Sequence, residues 1–138
     1  MEEVPVTQVE RDEIAVLFIR THDDVGEMRE AWQRLEELVG TRGRKFYGAF
    51  YPLTKEYRVC VQVKEEDDPG RLGLERCTLP GGRYLRTRLK GEPPAVYDRI
   101  GPTFGELARR ASSDDTRPSL EFYRRRDEID LLLPVSGE

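Results

Sequence analysis

The stretch from Lys45 to Val63 is laid out a second time from Arg117 to Val135. With an offset of 72, Phe50-Tyr51 falls on Phe122-Tyr123, and Val59, Val61 and Val63 fall on Leu131, Leu133 and Val135. Each copy reads as an aromatic strand, a turn and a second strand of alternating apolar residues, which is the pattern of a hairpin. A strand and an amphipathic helix precede each copy. Two such units side by side leave a cleft between them. One position breaks the match: Ala49 in the first copy is answered by Glu121 in the second. A lone carboxylate beside tyrosines in that cleft points to a ligand site.

The remaining elements follow from period and punctuation. Val4 to Glu10 reads as a short leading strand, and the run Ile14 to Ile19 as a strand covered on both faces. Asp24 with Glu27 has the spacing of a capping box at a helix start. Val25, Met28, Ala31, Trp32, Leu35, Leu38 and Val39 form one stripe, and Gly40 is the expected stop. In the aromatic strand Phe46–Tyr51, parity sets Tyr47, Ala49 and Tyr51 on one face and Phe46, Gly48 and Phe50 on the other. Tyr57 to Val63 completes the hairpin, and Lys64 to Gly70 is the loop between halves.

The second half opens with Leu72 to Leu79 and a strand from Arg83 to Leu89. Its helix starts at Pro93-Pro94 and carries Val96, Tyr97, Ile100, Phe104, Leu107, Ala108 and Ala111 on its stripe. Gly101-Pro102 lies inside that helix and is expected to bend or split it. With an offset of 69, Met28 matches Tyr97, Leu35 matches Phe104 and Leu38 matches Leu107, so the duplication extends to the helices. Ser119 to Tyr123 and Ile129 to Leu133 close the pattern. Helices laid on largely antiparallel sheets make this an α+β chain. Its 138 residues are the size of one domain, 1–138, with pseudo-repeats at about 4–65 and 72–136.

Composition narrows the function. No apolar run approaches the roughly 20 residues needed to span a bilayer. The start, Met1-Glu2-Glu3, lacks the basic and apolar stretches of a signal peptide, so the expected location is cytoplasmic. The net charge of −4 gives a nucleic-acid role little support. Arg124-Arg125-Arg126 is followed by Asp127-Glu128, the pattern of a solvated turn. Cys60 and Cys77 sit in strand-like segments and read as small buried thiols in a reducing compartment. The one histidine, His22, and the absence of Cys-x-x-Cys or His-x-x-x-His spacings argue against a zinc site or a histidine-based triad, and neither a metal nor a cofactor is expected.

The residues Leu79-Pro80-Gly81-Gly82-Arg83-Tyr84, Tyr47-Gly48-Ala49-Phe50-Tyr51-Pro52 with Tyr57-Arg58-Val59-Cys60-Val61, Leu120-Glu121-Phe122-Tyr123, and Ile129 to Val135, in this order, give the chain a family likeness. It resembles the GyrI-like (gyrase-inhibitor-like) family, which also supplies the effector-binding domain of bacterial multidrug-responsive activators. The resemblance implies duplicated strand-helix-strand-strand units about a pseudo-twofold axis, with antiparallel sheets and two main helices. It implies an aromatic pocket between the halves with one central acid, which falls here on Glu121. The loop before the second helix departs from the family's Gly-Pro-Tyr, reading Gly91-Glu92-Pro93-Pro94, and the final hairpin turn is short. No DNA-binding helices precede the first strand, so direct transcriptional activation by this chain alone is not expected.

Three functions compete. The leading one is a stand-alone module that binds bulky aromatic, lipophilic or cationic small molecules through Glu121, Tyr123, Tyr47, Tyr51, Trp32 and Tyr97. Trp32 and Tyr97 lie on helix stripes, where core packing is the alternative role; Tyr57 and Tyr84 are weaker candidates. Asp130 reads as structural or at the rim. The second is a hydrolase of strained or electrophilic molecules, with Glu121 as acid/base and Tyr51 or Tyr123 positioning the substrate. The third is a protein-interaction role, modulating gyrase or a regulator, with the partner unspecified. The plain alternative for Glu121 is a surface carboxylate beside Arg124 or Arg126.

Overall fold

A computed structural model describes residues 5–136; the start of the first expected strand at Val4 and the acidic residues before it lie outside the described residues. The described chain builds eight strands: β1 Thr7–Arg11, β2 Ile14–His22, β3 Phe46–Tyr51, β4 Glu56–Gln62, β5 Glu75–Leu79, β6 Gly82–Lys90, β7 Ser119–Arg125 and β8 Glu128–Pro134. They form one antiparallel sheet in the order β1-β6-β8-β7-β3-β4-β2-β5. The two halves meet where β3 pairs with β7. Each leading strand crosses over: β1 pairs with β6 of the second half, and β5 pairs with β2 of the first. The architecture is α+β with two repeats.

Helix α1, Val25–Val39, starts as its sequence dictates, with Asp24 accepting the Glu27 amide at 2.9 Å and Gly40 closing it at φ 75°. Glu27 does not return the bond; its carboxylate reaches His22 Nδ1 at 3.0 Å and the Thr21 hydroxyl at 3.4 Å. The loop between halves holds a single helical turn, α2, Pro69–Leu72, capped by Asp68. The second helix is split as Gly101-Pro102 foretold, into a 3-10 turn Ala95–Arg99 and α3 Ile100–Arg110. Pro102 sits in the first turn of α3, where its missing amide has no helical partner to lose.

Both helices cover one face of the sheet. Ala31 and Leu35 of α1 pack on Leu17, Tyr57, Val59 and Val61 of the sheet; Leu107 of α3 and Val96 of the 3-10 turn pack on Leu89, Ile129, Leu131 and Leu133. Two residues of the expected stripe stay out of this core: Val25, at the first position of α1, is 69 % exposed and Leu38 37 %. The helix-free face is apolar too. Val16, Phe18, Tyr47, Ala49, Cys60, Leu79, Tyr84, Leu120 and Leu132 pack on it, because the sheet curls until Arg11 on edge strand β1 contacts the Tyr47 hydroxyl at 3.4 Å.

The loops are pinned by ion pairs. Arg44 and Asp67 form a two-pronged pair with side chains only 5 % and 9 % exposed, joining the α1–β3 loop to the β4–α2 loop. Arg117 bonds Asp114 and the carbonyls of Gly81, Arg83 and Val135, holding the α3–β7 loop to the start of β6. Arg124, Arg125 and Arg126 are exposed, as a solvated turn requires. No helix is long and apolar enough to cross a membrane.

Candidate functional site

The join between β3 and β7 sets the site. Gly48 stands directly opposite Glu121, and Ala49 opposite Leu120. Paired residues share a face, so Glu121 lies with Gly48 on the helix side and Ala49 on the helix-free side. The offset of 72 is correct for β4 and β8 but one residue short for β3 and β7. Eleven positions separate the paired Gly48 and Val59, against ten between the paired Glu121 and Leu131. A one-residue slip reverses every side chain of a strand. Gly48, not Ala49, is therefore the counterpart of Glu121.

That slip corrects two site residues. Tyr47 stacks on Phe122 at 4.8 Å and Tyr51 packs on the Arg58 guanidinium at 4.4 Å, both on the face opposite Glu121. The expected cavity shared by Tyr47, Tyr51 and Glu121 does not form. Burial pushes both phenols up in pKa, away from acid–base work near neutral pH. Asp130 also faces the helix-free side, buried and paired with Arg88 at 2.7 Å, the structural role read from its parity.

Tyr57 replaces them. It shares parity with Val59 and Val61 on β4, so it points to the helices, and its ring crosses over β3 to reach β7. Its hydroxyl donates to Glu121 Oε1 at 2.7 Å, and the Tyr123 hydroxyl donates to the same oxygen at 2.5 Å. Gly48 makes this possible: a Cβ there would lie 2.0 Å from the Tyr57 hydroxyl and 2.7 Å from Glu121 Oε1. The parity of β4 was the sequence signal for Tyr57.

Aromatic rings roof the carboxylate. Trp32 from α1 meets Tyr123 edge-on at 5.2 Å and Phe46 at 6.2 Å; Tyr97 from the 3-10 turn meets Tyr123 at 6.3 Å. The two helical halves thus each send one ring to Tyr123. The Tyr97 hydroxyl donates to the Arg126 carbonyl at 3.2 Å, tying the roof to the β7–β8 turn. Glu121 is 8 % exposed, so the surface alternative beside Arg124 is excluded.

The electrostatics follow from this enclosure. Burial raises the Glu121 pKa; the Tyr123 and Tyr57 hydrogen bonds oppose that, and nearby Asp23 adds to it. Burial, with the carboxylate beside them, holds the Tyr57 and Tyr123 phenols well above their ordinary value, as hydrogen-bond donors. No Lys, Arg or His among the described residues pairs with Glu121. Two surface hollows, of about 130 and 210 Å³, lie elsewhere: one beside Gly43, Lys45 and Lys64, the other beside Thr21, His22, Glu27 and Glu56. Among the described residues no three His, Cys, Asp or Glu side chains are grouped to hold a metal ion.

No protein-family model matches the sequence, and no curated protein matches it. Solved structures do. An integron cassette protein from Vibrio cholerae superposes with a TM-score of 0.75 at 16 % identity, over 95 % of both chains. The C-terminal domain of EcmrR superposes at 0.68 with 11 % identity, over 98 % of this chain and 99 % of that one. SAV2435 bound to tetraphenylphosphonium superposes at 0.67 with 13 % identity, over 99 % of this chain and 95 % of the other. At such identities the likeness shows the fold, and that fold is consistent with the GyrI-like arrangement of two repeats.

Proposed function

We propose that the chain binds small organic cations carrying aromatic or lipophilic groups, at Glu121 between the two halves. One observation carries this reading: a carboxylate closed in by aromatic rings, with no cationic partner among the described residues. Burying a charged carboxylate costs several kcal/mol, and two phenol hydrogen bonds offset about 1.5–3 kcal/mol each. A ligand cation supplies the missing charge, and each ring face adds roughly 0.5–2 kcal/mol. The roof is shut in this structure. Entry requires Trp32 and Tyr97 to swing off Tyr123, at about 0.5–1.5 kcal/mol for each ring contact broken. The binding of tetraphenylphosphonium by a protein of this fold supports the class of ligand.

Trp32 is the single tryptophan of the chain, so its emission reports the site. Titration with organic cations, against neutral compounds of the same shape, gives a saturable change for the cations alone. No saturable change with any cation, or an equal response to the neutral compounds, would overturn the proposal. A hydrolytic reading has one observation in its favour: a carboxylate of raised pKa beside two phenol donors, suited to accept a proton from attacking water. Hydrolysis of an epoxide that is lost in Glu121→Ala would establish it; turnover that survives would remove Glu121 from that role.

A further inference from the structure

Glu121 uses its two oxygens unequally. Oε1 accepts both phenol hydrogens, at 2.7 and 2.5 Å, and Oε2 receives no donor from the described residues. Among the described residues, the one side-chain nitrogen or oxygen both sealed from solvent and without a hydrogen bond is Arg44 Nε. Oε2 is therefore not sealed; it keeps a share of the residue's 8 % exposure. Two donors on one oxygen restrain the carboxylate's rotation, so the free oxygen keeps one direction. An oxygen with spare acceptor capacity and a narrow access to the outside can accept a donor carried by a ligand.

Resting on the binding role above, we propose that the ligand class is the protonated amine or amidinium, whose N–H donates to Glu121 Oε2, in preference to cations that lack an N–H. A charged N–H approaches a carboxylate oxygen to about 2.7–2.9 Å. A fully alkylated nitrogen or phosphorus keeps carbon between its charge and that oxygen. Its four substituents also displace more of the roof, where Trp32, Tyr123 and Tyr97 are already in edge contact at 5.2 and 6.3 Å. The remaining group of an amine, when aromatic, packs against the same rings.

The test compares benzylammonium with benzyltrimethylammonium, which share ring and charge and differ in the N–H. Calorimetric titration of the wild-type chain gives benzylammonium the tighter binding by roughly tenfold to a hundredfold. In Glu121→Gln the gap closes, because an amide that keeps its oxygen for the phenols turns an N–H toward the ligand. Equal or tighter binding of the trimethyl compound overturns the N–H preference and leaves cation binding at Glu121 standing. A gap that persists in Glu121→Gln overturns the assignment to Oε2. Binding of neither compound, nor of tetraphenylphosphonium, overturns both this inference and the binding role beneath it.

Discussion

Gly48→Ala separates two opposed effects by sign. Gly48 does not have the left-handed backbone that favours glycine. An alanine at such a position restricts the unfolded chain and stabilises by about 0.4–1 kcal/mol, were there room for it. The added Cβ would instead meet the Tyr57 hydroxyl at 2.0 Å, Glu121 Oε1 at 2.7 Å and Tyr57 Cζ at 2.9 Å. Overpacking costs about 1–3 kcal/mol. Displacing the Tyr57 hydroxyl breaks a charge-assisted bond worth about 1.5–3 kcal/mol. The terms overlap, since moving Tyr57 relieves part of the clash, and the net expectation is a loss of about 2–4 kcal/mol. For a chain of this size the melting temperature falls by about 6–15 °C. Urea titrations of a double-mutant cycle give the sharper result. In a Tyr57→Phe background the 2.0 Å contact disappears, and Gly48→Ala costs at least about 1 kcal/mol less. A stabilising Gly48→Ala, or the same cost in both backgrounds within about 0.5 kcal/mol, refutes the reasoning.

Glu121 makes stability depend on pH in the direction opposite to an ion-paired acid. Its pKa is raised in the fold above its ordinary value of 4.5, chiefly by burial, so the folded state holds the proton more tightly and stability falls as pH rises through the folded value. The urea midpoint of wild type, less that of Glu121→Gln, therefore declines from pH 4.5 to 7; a flat or rising difference contradicts the enclosure. Asp67 works the other way: Arg44, the Lys64 amide and Lys64 lower its pKa from 3.8 against burial, and its contribution is lost on acidification. Asp67→Ala strands the buried Arg44 charge and costs about 3–5 kcal/mol in urea unfolding, whereas Arg126→Ala on the exposed turn stays within about 0.5 kcal/mol. Tyr97→Phe removes the bond to the Arg126 carbonyl but keeps the ring, and stopped-flow Trp32 emission shows faster cation entry; an unchanged entry rate removes Tyr97 from the roof's latch.

The duplication made most of the fold legible, because apolar period and punctuation repeat with it. Asp24 and Gly40 marked the ends of α1, and Gly101-Pro102 marked the break ahead of α3. The exchange of β1 and β5 between halves was not legible, since which neighbour a short strand joins depends on contacts distant in sequence. Glu121, Tyr123, Trp32 and Tyr97 were found as candidates because a lone acid and its aromatics stand out in a repeat. Tyr47 and Tyr51 were misplaced by one residue of hairpin length, and a strand has no tolerance for that error. The parity of β4 gave the side that Tyr57 faces, but its reach past Gly48 to Glu121, two strands away, depends on strand pairing that no local pattern records.

The contribution of one carboxylate to cation binding is what stands or falls here. Calorimetry of a single organic cation, benzylammonium, with wild type and with Glu121→Gln measures it while keeping the side chain's size. The account predicts saturable binding to wild type and an affinity at least roughly tenfold lower for the amide, the loss expected for a hydrogen-bonded charge pair. Equal affinity in the two proteins would contradict it.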